Sequence, residues 1–159
     1  MSVVVSDTTP LNYLILIGSI DVLPRLFNKV LIPPAVLREL SHPLTPAPVA
    51  EWARSLPAWV EVKAPQNDLH LGIGAGEDEA ISLAVELGVA VLMDERVGRA
   101  AAEQRGVLVI GTLAILNIAD AGGWLEFEEA LAKLGATNFR SSAAVLEKVR
   151  AVVRARKRP

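Results

Sequence analysis

Asp7 stands directly after the β-branched run Ser2-Val3-Val4-Val5-Ser6, and Asp94-Glu95 directly after Val91-Leu92-Met93. Glu39 lies three residues beyond Val36, and Glu77-Asp78-Glu79 follow the glycine-rich segment Gly72-Ile73-Gly74-Ala75-Gly76. Carboxylates are thus the groups whose placement suggests chemistry. Two of them ~5 Å apart repel by about 3 kcal/mol at an effective dielectric of 20. A cluster must therefore protonate, spread apart or bind cations. The chain has no cysteine and only two histidines, His42 and His70, both in predicted loops. That removes disulfides, thiolate metal sites, iron–sulfur clusters and cysteine nucleophiles. An oxygen-only donor set favours Mg²⁺ or Mn²⁺ over zinc. Such ions serve phosphoryl chemistry, because they polarise a phosphate and lower the pKa of an attacking water.

Each acid also has a plainer reading. Asp7 begins Asp7-Thr8-Thr9-Pro10, a helix-start signature in which its side chain could be an N-cap. Glu77, Asp78 and Glu79 could be first-turn acids complementing a helix dipole, and Asp94-Glu95 another cap. Glu39 fits the solvated-surface reading least. It sits near a helix C-terminus, where a carboxylate is disfavoured, and shares the face of Val36.

The elements that must position these groups follow from pattern. Apolar runs at 2–6, 29–32, 59–63, 89–93 and 107–110 read as strands buried on both faces. Helical segments are expected at 11–17, 20–27, 35–40, 49–56, 77–87, 96–105, 112–121, 125–134 and 141–156. The proline-rich stretch 41–48 is a loop, and the glycine-rich stretch 65–76 a loop with a flexible turn. Alternating strands and helices predict a single-domain, three-layer α/β/α fold with a mainly parallel five-stranded sheet. In such sheets a site lies beyond the carboxyl ends of the strands, where strand order reverses. Asp7, Asp94 and Thr112 all follow strands.

Other chemistries lack their signatures. There is no GxSxG elbow and no Walker A motif. Gly72–Gly76 is GxGxG without the preceding strand that a dinucleotide fingerprint requires. An aspartyl phosphatase would need an Asp where Thr9 stands, and a receiver domain a lysine where Gly111-Thr112 stands.

Asp7-Thr8-Thr9-Pro10-Leu11, Ile32-Pro33-Pro34-Ala35-Val36-Leu37-Arg38-Glu39-Leu40, Gly76-Glu77-Asp78-Glu79-Ala80-Ile81, Leu92-Met93-Asp94-Glu95, Gly98-Arg99 and Ile110-Gly111-Thr112-Leu113 together resemble a PIN domain. More narrowly they resemble a prokaryotic PIN-like family related to the toxin nucleases of toxin–antitoxin modules. The resemblance runs from about residue 2 to residue 122, and the final helix lies beyond it. It implies a sheet of order 3-2-1-4-5 with strands one and four adjacent. It also implies Mg²⁺- or Mn²⁺-dependent endonuclease activity on single-stranded RNA, a homodimer and an antitoxin protein as partner. Asp7, Glu39 and Asp94 match acidic metal-site positions. For the remaining acid Glu77, Asp78 and Glu79 compete. Glu77 is favoured because Ile81 and Ala84 follow it at i+4 and i+7 on one face. In this reading Asp7 and Asp94 bind the metal directly, and Glu39 and Glu77 directly or through waters. Thr8 and Thr112 would hydrogen-bond carboxylates or a water, and Arg99 would pair with a site acid or contact phosphate. Two rival readings stand beside it. One is a non-catalytic PIN-like module that binds nucleic acid or protein. The other is a receiver- or phosphatase-like protein acting on small phosphorylated molecules.

Charge adds one asymmetry. Lys and Arg number 16 and Asp and Glu 18, but six of the cations lie in residues 148–159 with no acid among them. The body is strongly acidic and the end basic. Residues 1–140 are read as the nuclease-like domain and 141–159 as a basic amphipathic helix and tail. Its expected apolar stripe is Val145, Val149 and Val152, and Arg154, Arg156, Lys157 and Arg158 are candidate RNA-backbone contacts. No secretory segment or membrane span is legible, so a soluble, cytoplasmic protein is expected.

Overall fold

The structure is a computed structural model that describes residues 2–158. Strand β1 (Val3–Ser6) leads through Asp7 into α1 (Thr8–Leu16). Pro10 falls in the first turn of α1, where its missing N–H has no partner to lose. Next come a 3₁₀ turn (Ile20–Val22) and the one-turn α2 (Leu23–Leu26), in place of the single helix expected over 20–27. Pro24 accounts for the break, because a continuous helix would need its N–H. Then follow β2 (Lys29–Ile32), α3 (Pro34–Leu40), α4 (Ala47–Arg54), β3 (Val60–Val62) and a long loop to α5 (Ala75–Leu87). The second half runs β4 (Val91–Leu92), α6 (Arg96–Gln104), β5 (Val109–Ile110), α7 (Thr112–Ala121), α8 (Phe127–Gly135) and α9 (Ala143–Lys157).

All five strands are parallel, in the order β3-β2-β1-β4-β5. The chain winds outward from β1 to β3, then crosses back to lay β4 against β1, pairing Val5 with Val91 and Ser6 with Leu92. This is the reversal point, and Asp7 and Asp94 follow its two strands. The order differs from the 2-1-3-4-5 of flavodoxin-like folds, which sets aside the receiver-like reading.

The period of two along the strands sorts the core into layers. Val4, Val30, Ile32 and Leu92 pack with α1, α4, α7 and α8 on one face. Val5, Leu31, Val91 and Met93 pack with α5 and α6 on the other. Both faces are covered, as a parallel sheet requires. No helix among the described residues is long and apolar enough to cross a membrane.

The last helix docks by a different face from the one expected. Val153 is buried, with Leu146 and Val149 packed against the core, while Val145 and Val152 are about half exposed. Val149 is shared by the expected and the observed stripe, and the basic C-terminus of the helix is anchored as well. Arg156 donates to Asn117 Oδ1 and Asp120 Oδ1 at 2.7 Å each. Lys157 donates to Asp120 Oδ2 at 2.8 Å. The Asp120 side chain is only 3% exposed. Its burial opposes ionisation, but bonds from Lys157, Arg156 and the Phe127 amide outweigh that and hold its pKa at about 2.

Candidate metal centre

Asp7 occupies the N-cap position of α1, yet its side chain makes no capping bond. Its backbone N–H donates to Leu92 O at 2.9 Å, which ties it to β4. Asp7 is 1% exposed, and its Oδ1 has no hydrogen-bond partner. A buried carboxylate oxygen without a partner is costly unless something absent from the chain satisfies it. The plain N-cap reading therefore fails for this residue.

Glu39 and Glu77 supply the company. One carboxylate oxygen from each of Asp7, Glu39 and Glu77 lies within 4.8 Å of the others. Thr8, the first residue of α1, donates its hydroxyl to Glu39 Oε2. Glu39 comes from the end of α3, held there by Val36 and Leu40, which are fully buried. Glu77 comes from the first turn of α5, held by Ile81 and Ala84, also fully buried.

The three consecutive acids of α5 have separate tasks. Asp78 accepts from the amides of Gly72 (3.1 Å) and Ile73 (3.3 Å) and so pins the glycine loop. Glu79 accepts from the Ala35 amide at 3.0 Å and pairs with Arg38 at 3.7 Å. Glu79 thereby satisfies an orphan donor of α3 and locks α3 to α5, which brings Glu39 beside Glu77. Only Glu77 of the three joins the cluster.

Asp94 and Glu95 separate likewise. Glu95 caps α6 by accepting from Gly98 N at 2.7 Å. Asp94 accepts from Thr112 N at 2.7 Å and from Thr112 Oγ1 at 2.6 Å. Both Asp94 oxygens are thus engaged, and it stands outside the Asp7–Glu39–Glu77 trio. It is near enough to help raise the pKa of Asp7.

The glycines shape this site, a role the sequence reading assigned only to a flexible turn. A Cβ on Gly76 would lie 2.5 Å from Glu39 Oε2 and 2.8 Å from Oε1. Gly74 has φ +130°, and a Cβ there would collide with Glu77 Oε2. A Cβ on Gly111 would lie 2.8 Å from an Arg99 guanidinium nitrogen and 3.1 Å from Asp94 Oδ1. Carboxylates seated directly on backbone need residues without side chains. The available signal was the GxGxG placed immediately before the acids.

Electrostatics agree with the geometry. Burial, set against the Thr8 amide and reinforced by Glu77, Glu39 and Asp94, raises the Asp7 pKa to about 7. Burial and then Glu39 push Glu77 up. Burial also raises Asp94, against the two bonds from Thr112 and the charge of Arg99. Full ionisation of the cluster is thus opposed by burial and by the acids' own repulsion. The donor set is oxygen only. His42 Nδ1 is engaged by the Leu44 amide, and His70 is exposed beside Asp68. An unpartnered buried oxygen and two further carboxylates fit a hard divalent cation.

The candidate RNA contacts of the tail divide. Arg156 and Lys157 are engaged by Asp120, whereas Arg154 and Arg158 are exposed.

Residues 3–155 match a family model described as PIN domain. The chain belongs to that family, whose nuclease-like fold it shares. The match passes residue 122 and reaches into α9, so the closing helix is part of the family pattern and not an addition beyond it. No curated protein matches the chain.

Proposed function

We propose that this protein is a divalent-metal-dependent endoribonuclease that hydrolyses phosphodiester bonds of single-stranded RNA. The observation that carries the reading is the buried, unpartnered Oδ1 of Asp7 facing Glu39 and Glu77. Asp7, Glu39 and Glu77 would hold Mg²⁺ or Mn²⁺. When bound, such an ion polarises the phosphate and makes a water more acidic.

The chain's own residues supply the rest. Thr8 holds Glu39 in place by its hydroxyl. Thr112 clamps both oxygens of Asp94, which fixes a second negative wall of the site. Glu77, half-buried and with its proton affinity raised, would take the proton of the attacking water at its carboxylate. The water oxygen forms the new bond to phosphorus as the bond to the ribose oxygen breaks, and that oxygen leaves by taking a proton from solvent.

Calorimetric titration with Mn²⁺ beside a cleavage assay on single-stranded RNA tests this. The wild-type protein should bind Mn²⁺ and cut, while Asp7→Asn keeps its fold and loses most of both. A wild-type protein that binds Mn²⁺ without cutting any RNA would favour the non-catalytic module. Hydrolysis of a generic phosphate ester but not RNA would point to small phosphorylated substrates.

A further inference from the structure

Arg99 is the cation whose charge acts on Asp94 at the edge of the acidic cluster. It lies in α6, one turn after the cap Glu95, to whose carbonyl its backbone N–H donates at 2.9 Å. Its guanidinium rests against Gly111, where a Cβ would lie 2.8 Å from a guanidinium nitrogen and 3.1 Å from Asp94 Oδ1. Nitrogen and oxygen both crowd the same missing Cβ, so Gly111 lets Arg99 stand close to Asp94. Yet among the described residues Arg99 forms no ion pair and no side-chain hydrogen bond. Asp94 does not need it, because Thr112 already occupies both carboxylate oxygens. Nor are its donors sealed from solvent, since the only buried unpartnered side-chain atoms among the described residues are Asp7 Oδ1 and Arg150 Nε.

Arg99 thus acts on Asp94 by charge across a gap, without a hydrogen bond, and its donors stay open. A half-buried guanidinium with open donors beside a metal-type carboxylate cluster suits a phosphate, two of whose oxygens it can grip with parallel N–H bonds. A polyanion also needs a positive contact on approaching an acidic site. We infer that Arg99 seats the substrate phosphate, its guanidinium donating to the non-bridging phosphoryl oxygens beside the acidic cluster. This rests on the nuclease reading and deepens it. Arg99 transfers no proton. It orients the phosphate for the water and stabilises charge on the equatorial oxygens as the ribose oxygen leaves.

The experiment compares Arg99→Lys, Arg99→Gln and Arg99→Ala with wild type. Single-turnover cleavage of RNA with saturating Mn²⁺ should fall by roughly 10²–10³-fold in the Gln and Ala variants. Lys should retain an intermediate rate, and free guanidinium ion should partly restore Arg99→Ala. Mn²⁺ affinity and melting temperature should hold in all three. A second arm uses the Asp7→Asn background, where RNA stays intact. There Arg99→Gln should flatten the slope of log K against log salt by about 0.7, the share of one phosphate on a single strand. Wild-type cleavage rates together with an unchanged salt slope would overturn the inference. So would loss of Mn²⁺ binding or of folding in Arg99→Lys, because the role would then be structural. If the wild-type protein cuts no RNA, the nuclease reading fails, and the salt slope still judges Arg99.

Discussion

The buried Asp7 carboxyl should make the metal-free protein less stable as pH rises, and Asp7→Asn should remove that loss. The folded-state pKa is about 7 against an ordinary 3.8. Between about pH 4 and pH 7 the folded chain keeps a proton that the unfolded chain releases. Stability therefore falls through that window as pH increases, and the full loss is present above pH 7. A shift of about three units corresponds to roughly 4 kcal/mol as an upper figure. For a chain of this length that is on the order of 10 °C in melting temperature. The assay is urea and thermal unfolding of wild type and Asp7→Asn at pH 4.5 and pH 8, both in chelator. The two should be similar at the lower pH, with the variant clearly more stable at the higher. Adding Mn²⁺ at one hundred times its Kd should return about 2.7 kcal/mol to the wild type and little to the variant. Parallel pH profiles in chelator would refute the reasoning, because Asp7 would then not be buried against its neighbours' charge.

Gly76→Ala should leave the fold intact, since alanine favours a helix, but displace Glu39 and weaken Mn²⁺ binding by roughly tenfold in calorimetry. Unchanged affinity would mean that Glu39 is not held against that backbone. Asp120→Asn should free the end of α9 and cost about 2 kcal/mol, read as faster amide exchange over residues 143–157 with Mn²⁺ affinity untouched. Because the Asp120 pKa is depressed, its contribution should be complete above about pH 4 and disappear as pH falls toward 2, where wild type and variant should converge. Arg154→Gln with Arg158→Gln should flatten the salt dependence of RNA binding without loosening α9. If the slope stays as it was, the open cations of the tail lie outside the interface.

Local pattern determined a good deal of this protein. Apolar runs marked all five strands, the prolines marked helix starts, and alternation implied a parallel sheet with acids after its strands. The absence of cysteine, with only two histidines and both in loops, pointed any metal to oxygen donors. Those properties belong to segments a few residues long, so they can be read where they stand. Tertiary structure decided the division of labour among neighbours that look alike in sequence. Glu77 enters the cluster and Glu79 does not, because Glu79 meets the Ala35 amide, 44 positions away along the chain. Asp94 faces Thr112 while Glu95 caps a helix, and Asp7 fails to cap the helix it begins. The end of α9 is tied to Asp120 on another helix. The glycines proved to be seats for carboxylates because those carboxylates arrive from distant elements. A side chain's task is fixed by which partner reaches it first in three dimensions, and spacing along one segment carries no record of that partner.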